Sequence, residues 1–138
     1  MDNPVLVLSN IDSNTDTTFD SDMGTWNVSR AIRDCKAGKH KSYGFCIDEL
    51  FPAIQNVEVD QGKVRIIASN YRSLLSSPPI ILVVERGKVY VIDGHHRIHA
   101  HKRVGIKRII GFVIEECDSA PYIVWYNGQR LPPWAKEG

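Results

Sequence analysis

The sequence predicts a small mixed α+β domain, and three observations predict it. Two runs rich in β-branched residues, Ile80–Glu85 and 88–92, flank Arg86-Gly87 as the arms of a hairpin would. The second run passes through Asp93-Gly94 into a stretch of helical character that Gly105 closes. Elsewhere short apolar runs alternate with segments of helical spacing, without internal repeats.

In chain order, 5–8 is a short apolar stretch followed by a Thr/Asp/Ser-rich loop to about residue 24. Asn27 suits a helix N-cap ahead of Ala31, Ile32 and Cys35, and Gly38 suits the stop. Residues 39–44 read as a polar loop. The run 45–51 reads as a strand ended by Pro52. Behind Asp60, Ile67, Tyr71, Leu74 and Leu75 recur at helical spacing, which predicts a helix over about 63–75. Val64, Ile66 and Ile67 make a strand over 63–67 the competing reading. Pro78 and Pro79 end that element, because the residue before a proline is pushed out of helical conformation. After the hairpin come a helix to about Val104, a strand Arg108–Ile114 and a last strand over 122–126. Asn127-Gly128 then marks a turn before a Pro-rich tail. The division expected is an extension over 1–44, made of an acidic loop and a short helix, and a domain over 45–138 with a C-terminal strand and tail.

A chain of 138 residues is long enough for one buried core. Its 43% hydrophobic and 24% charged content is ordinary for a soluble globular domain. No apolar run nears the roughly 20 residues needed to cross a bilayer. The start, Met1-Asp2-Asn3-Pro4, lacks the basic and apolar regions of a secretory signal. Cys35, Cys46 and Cys117 are odd in number and form no C-x-x-C pair, which suits reduced thiols. The expectation is a cytoplasmic protein without membrane partners.

The net charge of +1 hides a gradient. Residues 1–24 carry five Asp and no Lys or Arg, whereas 86–108 carry seven basic residues against Asp93 alone. A solvated basic face is the plain reading of such a run. Here it coincides with Asp93-Gly94-His95-His96-Arg97, where a strand meets a glycine and then a helix start. Gly94 permits a tight turn, and the helix start offers unpaired N–H groups at the positive end of its dipole. That is an anion site before any side chain acts. His95 and His96 can donate from their rings, Arg97 can fork onto phosphate oxygens, and Asp93 can hold a magnesium ion bridging phosphates. The alternatives are that Asp93 caps the helix with the histidines in water, or that His95 and His99, four residues apart, chelate zinc. A third ligand and the usual zinc spacing are missing. His99 and His101 read as surface residues.

Over roughly 45–114, about half the chain, these features resemble the ParB/sulfiredoxin superfamily, in which a Gly-x-x-Arg turn at a helix start contacts nucleotide phosphates. The specific part is Asp93-Gly94-His95-His96-Arg97 followed by Ala100 and Gly105; Leu50-Phe51-Pro52 and Pro78-Pro79-Ile80 match more weakly. Sulfiredoxins carry Gly-Cys-His-Arg, so His95 in place of the cysteine excludes sulfinic acid reduction. Partition proteins carry Gly-Glu-Arg-Arg and bind CTP, but no helix-turn-helix follows here. The free serine kinases carry the same Asp-Gly-His-His-Arg run. The resemblance implies a ParB/sulfiredoxin-like fold with Gly94, His95, His96 and Arg97 on the phosphates of ATP or another NTP or NDP, and Asp93 at a magnesium ion or the accepting hydroxyl. It implies Lys63 as a further phosphate contact, Glu49 or Glu58 as the base, and a small-molecule acceptor. For Lys63, Glu49 and Glu58 the competing reading is an ordinary surface charge; for Trp125, which could line an acceptor pocket, it is a core tryptophan.

Three functions follow: a nucleotide-dependent phosphotransferase or NTP hydrolase, a ParB-like DNA-binding or DNA-cleaving protein, and a nucleotide sensor without catalysis. The first is preferred, because phosphoryl transfer needs chiefly positioning and charge neutralisation, which this motif offers.

Overall fold

A computed structural model describes residues 5–6, 17–20 and 24–126. The chain order is β1 (Val5–Leu6), β2 (Thr18–Asp20), β3 (Gly24–Asn27), α1 (Val28–Lys36), β4 (Lys41–Cys46), α2 (Ile47–Ile54), α3 (Gln61–Ala68), α4 (Tyr71–Leu75), β5 (Ile80–Glu85), β6 (Lys88–Asp93), α5 (His95–Val104), β7 (Arg108–Ile114) and β8 (Ile123–Tyr126). Two 3₁₀ turns, Glu116–Asp118 and Ala120–Tyr122, precede β8. The result is a small α+β domain with a mixed sheet. One sheet runs β4-β7-β5-β6, with β5 parallel to β7 and the other pairs antiparallel. A second sheet, β1-β8-β3-β2, is antiparallel throughout.

β5 sits inside the mixed sheet, and its continuous apolar run reflects burial on both faces. Its alternate side chains enter two cores. Ile81 and Val83 join Trp26, Val28, Ala31, Cys35, Ile92 and Ile114 on the α1 side. Ile80 and Leu82 join Ile47, Leu50, Ile54, Val91 and Ile98 on the side of α2 and α5. A third cluster of Val64, Leu74 and Ala100 fixes α3 and α4 to α5. The hairpin turn has positive φ at both Arg86 (52°) and Gly87 (74°), as a two-residue turn matched to strand twist requires.

Several elements depart from the sequence reading. The strand expected over 45–51 is instead the end of β4 followed by α2, and part of the expected 39–44 loop is β4 itself. Ile47, Leu50 and Ile54 are buried at helical spacing, and that burial outweighs the N–H that Pro52 lacks inside the helix. The helix expected over 63–75 is two helices. Ser69 donates from Oγ to the Ile66 carbonyl at 2.6 Å, and Asn70 Oδ1 accepts from Ser73 N–H at 3.1 Å, so local side-chain bonds stop one helix and cap the next. Of its expected apolar face, Leu74 is buried while Tyr71 and Leu75 are exposed. The competing strand over 63–67 does not form. Tyr122 closes a 3₁₀ turn rather than opening the last strand. The 127–128 turn, the Pro-rich tail and most of the acidic loop lie outside the described residues.

Asn27 caps α1, accepting from Arg30 N–H at 3.0 Å, and Gly105 closes α5 with φ 81°. No described helix is long and apolar enough to cross a membrane. The three cysteines are free thiols. Burial pushes the Cys35 thiol up to about 11, with the charges of Asp34 and Asp93 acting the same way.

Candidate functional site

β6 carries the chain out of the sheet at Asp93, Gly94 turns it, and α5 starts at His95. Gly94 has φ 110° and provides no side-chain cap, so the first-turn N–H groups of His95, His96 and Arg97 have no capping side chain. The glycine has a second cause besides its φ. A Cβ at position 94 would lie 2.3 Å from Ile80 Cγ2 and 2.8 Å from Ile80 Cβ, so the turn presses directly on β5.

This turn forms one side of an open cleft of about 820 Å³. The opposite wall is α3, α4 and the chain after them, with Ile66, Ile67, Ser69, Asn70, Ser73, Ser76 and Ser77. Three of its hydroxyls are spent on their own helices: Ser69 on the Ile66 carbonyl, Ser76 on Arg72 and Ser77 on Leu74. Asn70 uses its oxygen on Ser73 N–H. Among the described residues, the side-chain donors left on that wall are the Asn70 amide and the Ser73 hydroxyl.

Arg97 is anchored. Nη2 meets Asp93 Oδ2 at 2.8 Å, and Nη1 donates to the carbonyls of Pro78 and Pro79, the latter at 3.2 Å. The pair is half-shielded, the Arg97 side chain being 17% exposed and that of Asp93 31%. With five N–H hydrogens and three in use, Arg97 keeps its Nε–H and one Nη2–H. It therefore ties the turn to the start of β5 and retains two donors. His96 Nε2 accepts from the Asp60 N–H at 3.1 Å, which puts the ring proton on Nδ1 and ties α5 to the N-cap of α3.

His95 lines the cleft but is only 9% exposed, and its ring stacks on Phe19 with centroids 4.8 Å apart. Its Nε2 has no hydrogen-bond partner. Burial holds this imidazole below its ordinary value, so it stands neutral at pH 7. It is a neutral ring in a packed setting, which leaves it one N–H with which to donate.

Asp93, Gly94, His95, His96 and Arg97 thus come together on one wall. Lys63, Glu49 and Glu58 do not line the cleft. Lys63 is exposed in the first turn of α3, Glu49 is exposed in the first turn of α2, and Glu58 is exposed between those helices. Trp125 lies in β8 opposite Leu6 and Thr25. His101, expected at the surface, is 3% exposed, because α5 is packed by α2, α3, α4 and β7 together. Its Nδ1 lies 2.6 Å from the Arg97 carbonyl. His99 is half-buried against Phe51, and burial lowers its value as well.

The basic run 86–108 is divided by the fold. Arg86 and Lys88 sit at the hairpin turn, a strand length of roughly 16 Å from Asp93. Lys102 pairs with Asp48 at 2.9 Å over the Phe51 ring. Among the described residues no three His, Cys, Asp or Glu side chains gather as a metal site. Asp93 is the one carboxylate on the cleft wall among the described residues. The polar side of 69–77 went unread in the sequence, where its apolar spacing drew attention; its signal was four serines and an asparagine in nine residues.

Compared with protein-family models, curated proteins and solved structures, the chain matched none.

Proposed function

We propose that this protein binds a nucleotide through its phosphates at the start of α5, and that it is a nucleotide-dependent phosphotransferase or NTP hydrolase. The observation that carries the reading is the cleft of about 820 Å³ with an uncapped helix N-terminus in its wall. That volume falls within the roughly 300–1,000 Å³ of small-molecule sites. The N–H groups of His95, His96 and Arg97 and the helix dipole hold phosphate oxygens. The Asn70 amide and the Ser73 hydroxyl meet them from the facing wall, and Arg97 adds its two remaining donors. Asp93 keeps Oδ1 for the proton of an accepting hydroxyl or for a metal. Magnesium suits this donor set, since it commonly takes one or two carboxylates and the substrate's own phosphates. When bound it neutralises developing phosphate charge.

Arg97→Ala is a poor test, because Arg97 also holds the turn to Pro78 and Pro79. Ser73 is exposed on the far wall, so Ser73→Asp places a negative charge in the cleft while leaving the packing intact. The test is thermal unfolding with ATP, ADP, CTP or GTP and magnesium. A nucleotide at 100 times its Kd should add about 2.7 kcal/mol of stability in the wild type and far less in Ser73→Asp. Phosphate release or transfer that Asp93→Asn abolishes then establishes turnover. A bound nucleotide recovered unchanged would make the protein a sensor instead. No shift with any nucleotide, together with salt-sensitive duplex binding, would replace this reading by the DNA-acting one.

A further inference from the structure

Behind the Asp93–Arg97 pair lies a second cavity of about 330 Å³, lined by Ile32, Cys35, Lys36, Pro78, Pro79, Ile81, Asp93, Arg97 and Phe112. Pro78, Asp93 and Arg97 line both spaces, so the ion pair and Pro78 form a shared partition between the cleft and this pocket. The two chambers differ in chemistry. The cleft sets four serines and an asparagine among Ile66, Ile67 and Leu74, whereas apart from its charged groups the second pocket is lined by Ile32, Ile81, Phe112, the prolines and Cys35. Its charged groups are the carboxylate and guanidinium of the partition and the ammonium of Lys36. Asp93 and Arg97 neutralise each other at 2.8 Å. Lys36 is exposed and makes no ion pair among the described residues, so it leaves one uncompensated positive charge. Cys35 supplies no nucleophile here, since burial keeps it protonated as a thiol at pH 7.

We propose that this pocket binds a small hydroxy acid: an apolar body between Ile32, Ile81 and Phe112, a carboxylate answered by Lys36, and a hydroxyl turned to Asp93. The pocket's volume is at the lower end for small-molecule sites, which limits the body to a few carbons or one ring. Lys36 gives charge complementarity to an acid and none to an amine. The partition gives the hydroxyl an acceptor in Asp93. The acceptor role of this molecule rests on the nucleotide reading above. In that role its O–H bond breaks with the proton passing to Asp93, its oxygen forms the new P–O bond, and the terminal bridging P–O bond of the nucleotide breaks to leave the diphosphate.

The test uses the full chain and two probes, 6-hydroxyhexanoate and hexane-1,6-diol, which share the body and a hydroxyl and differ in the carboxylate. Amide shifts are followed by NMR with and without magnesium and ATP. The expected result is saturable shifting around Ile32, Lys36 and Phe112, with the acid at least fivefold tighter than the diol. Lys36→Glu, at an exposed position, should erase that difference, and Ile32→Trp should block both probes. Equal binding of acid and diol, or shifts that neither saturate nor cluster there, would overturn the pocket's assignment. ATP shifts at 94–97 without any probe binding would overturn this inference alone. Probe binding with no response to any nucleotide would support the pocket and overturn the phosphotransfer reading.

Discussion

Gly94→Ala is the sharpest perturbation of the turn, because two separate costs meet at that residue. The first is conformational. At φ 110° an alanine sits in a region L-residues avoid, at about 1–2 kcal/mol. The second is steric. The new Cβ would meet Ile80 Cγ2 at 2.3 Å and Ile80 Cβ at 2.8 Å, and Arg97 Nη2 at 3.3 Å. Ile80 is fully buried and its Cβ is fixed to the β5 backbone, so it cannot swing away. Overpacking of this kind costs about 1–3 kcal/mol, for a total of about 2–5 kcal/mol. Gly105→Ala separates the two, since φ there is 81° and nothing lies within 4 Å of the added carbon. Urea unfolding of both variants gives the comparison, with midpoint shifts at constant slope read as stability. Gly94→Ala should lose at least about 1 kcal/mol more than Gly105→Ala, from the steric part alone. Equal losses at the two positions would refute the claim that β5 dictates glycine at 94.

Two further predictions concern buried polar groups away from the cleft. Ser119 Oγ donates to Glu85 Oε2 at 2.8 Å and shares its hydrogen with the Glu116 carbonyl at 2.9 Å. Burial outweighs the Ser119 hydrogen bond and raises the Glu85 carboxyl, and with it the hold on the carboxyl proton, above the ordinary 4.5. The folded state therefore holds that proton more tightly, so stability falls as pH rises from the ordinary carboxyl value to the folded one. Glu85→Gln should remove that decline and be at least as stable as wild type at neutral pH, as measured by urea unfolding across pH. Tyr122 donates to Asp34 Oδ2 at 2.6 Å and lies 2.6 Å from His40 Nε2, which must then donate to the phenol oxygen. Burial opposes the Asp34 charge, but hydrogen bonds from Tyr122 and Lys39 outweigh it and hold the carboxyl below its ordinary value. That stability is present above the ordinary carboxylate range and is lost as pH falls through the folded value. Tyr122→Phe should cost about 1.5–3 kcal/mol at neutral pH and weaken this loss in acid, as checked by urea titration at both conditions.

The sequence made its local signals legible and hid what tertiary contacts decide. Asn27 at one helix start, Arg86-Gly87 in the hairpin and Gly105 at a helix end act through their own backbone or the next turn, so their types suffice to place them. The strand-turn-helix at 88–105 was legible for the same reason. Pro52 misled, because a proline breaks an isolated helix but not one whose Ile47, Leu50 and Ile54 are anchored in a core. The split at Ser69-Asn70 was written in residues that cap helices, yet the apolar spacing around them argued for continuity. At the site, residue identity told which groups gather and not what each touches. Arg97 was legible as a cation, while its ties to Asp93 and the two proline carbonyls depend on how β5 lies beside α5. Gly94 was legible as a turn, while its contact with Ile80 depends on the sheet.

Those ties change what the cleft can attract. Asp93 cancels the charge of Arg97, His95 is neutral by burial, and His96 spends Nε2 as an acceptor. Lys63 stands outside. The seven basic residues of 86–108 therefore put little net charge on this wall, and on the proposed reading its pull on an anion would come from aligned N–H groups and the end of the helix dipole. Such a source is short-ranged, falling off within the first helical turn, so it selects groups that fit against the N–H array rather than any polyanion. On the proposed reading, that favours a triphosphate whose charge is already reduced by magnesium over the bare anion. The same reading would set the cleft apart from a nucleic-acid surface, where affinity grows with the number of cations laid against phosphates.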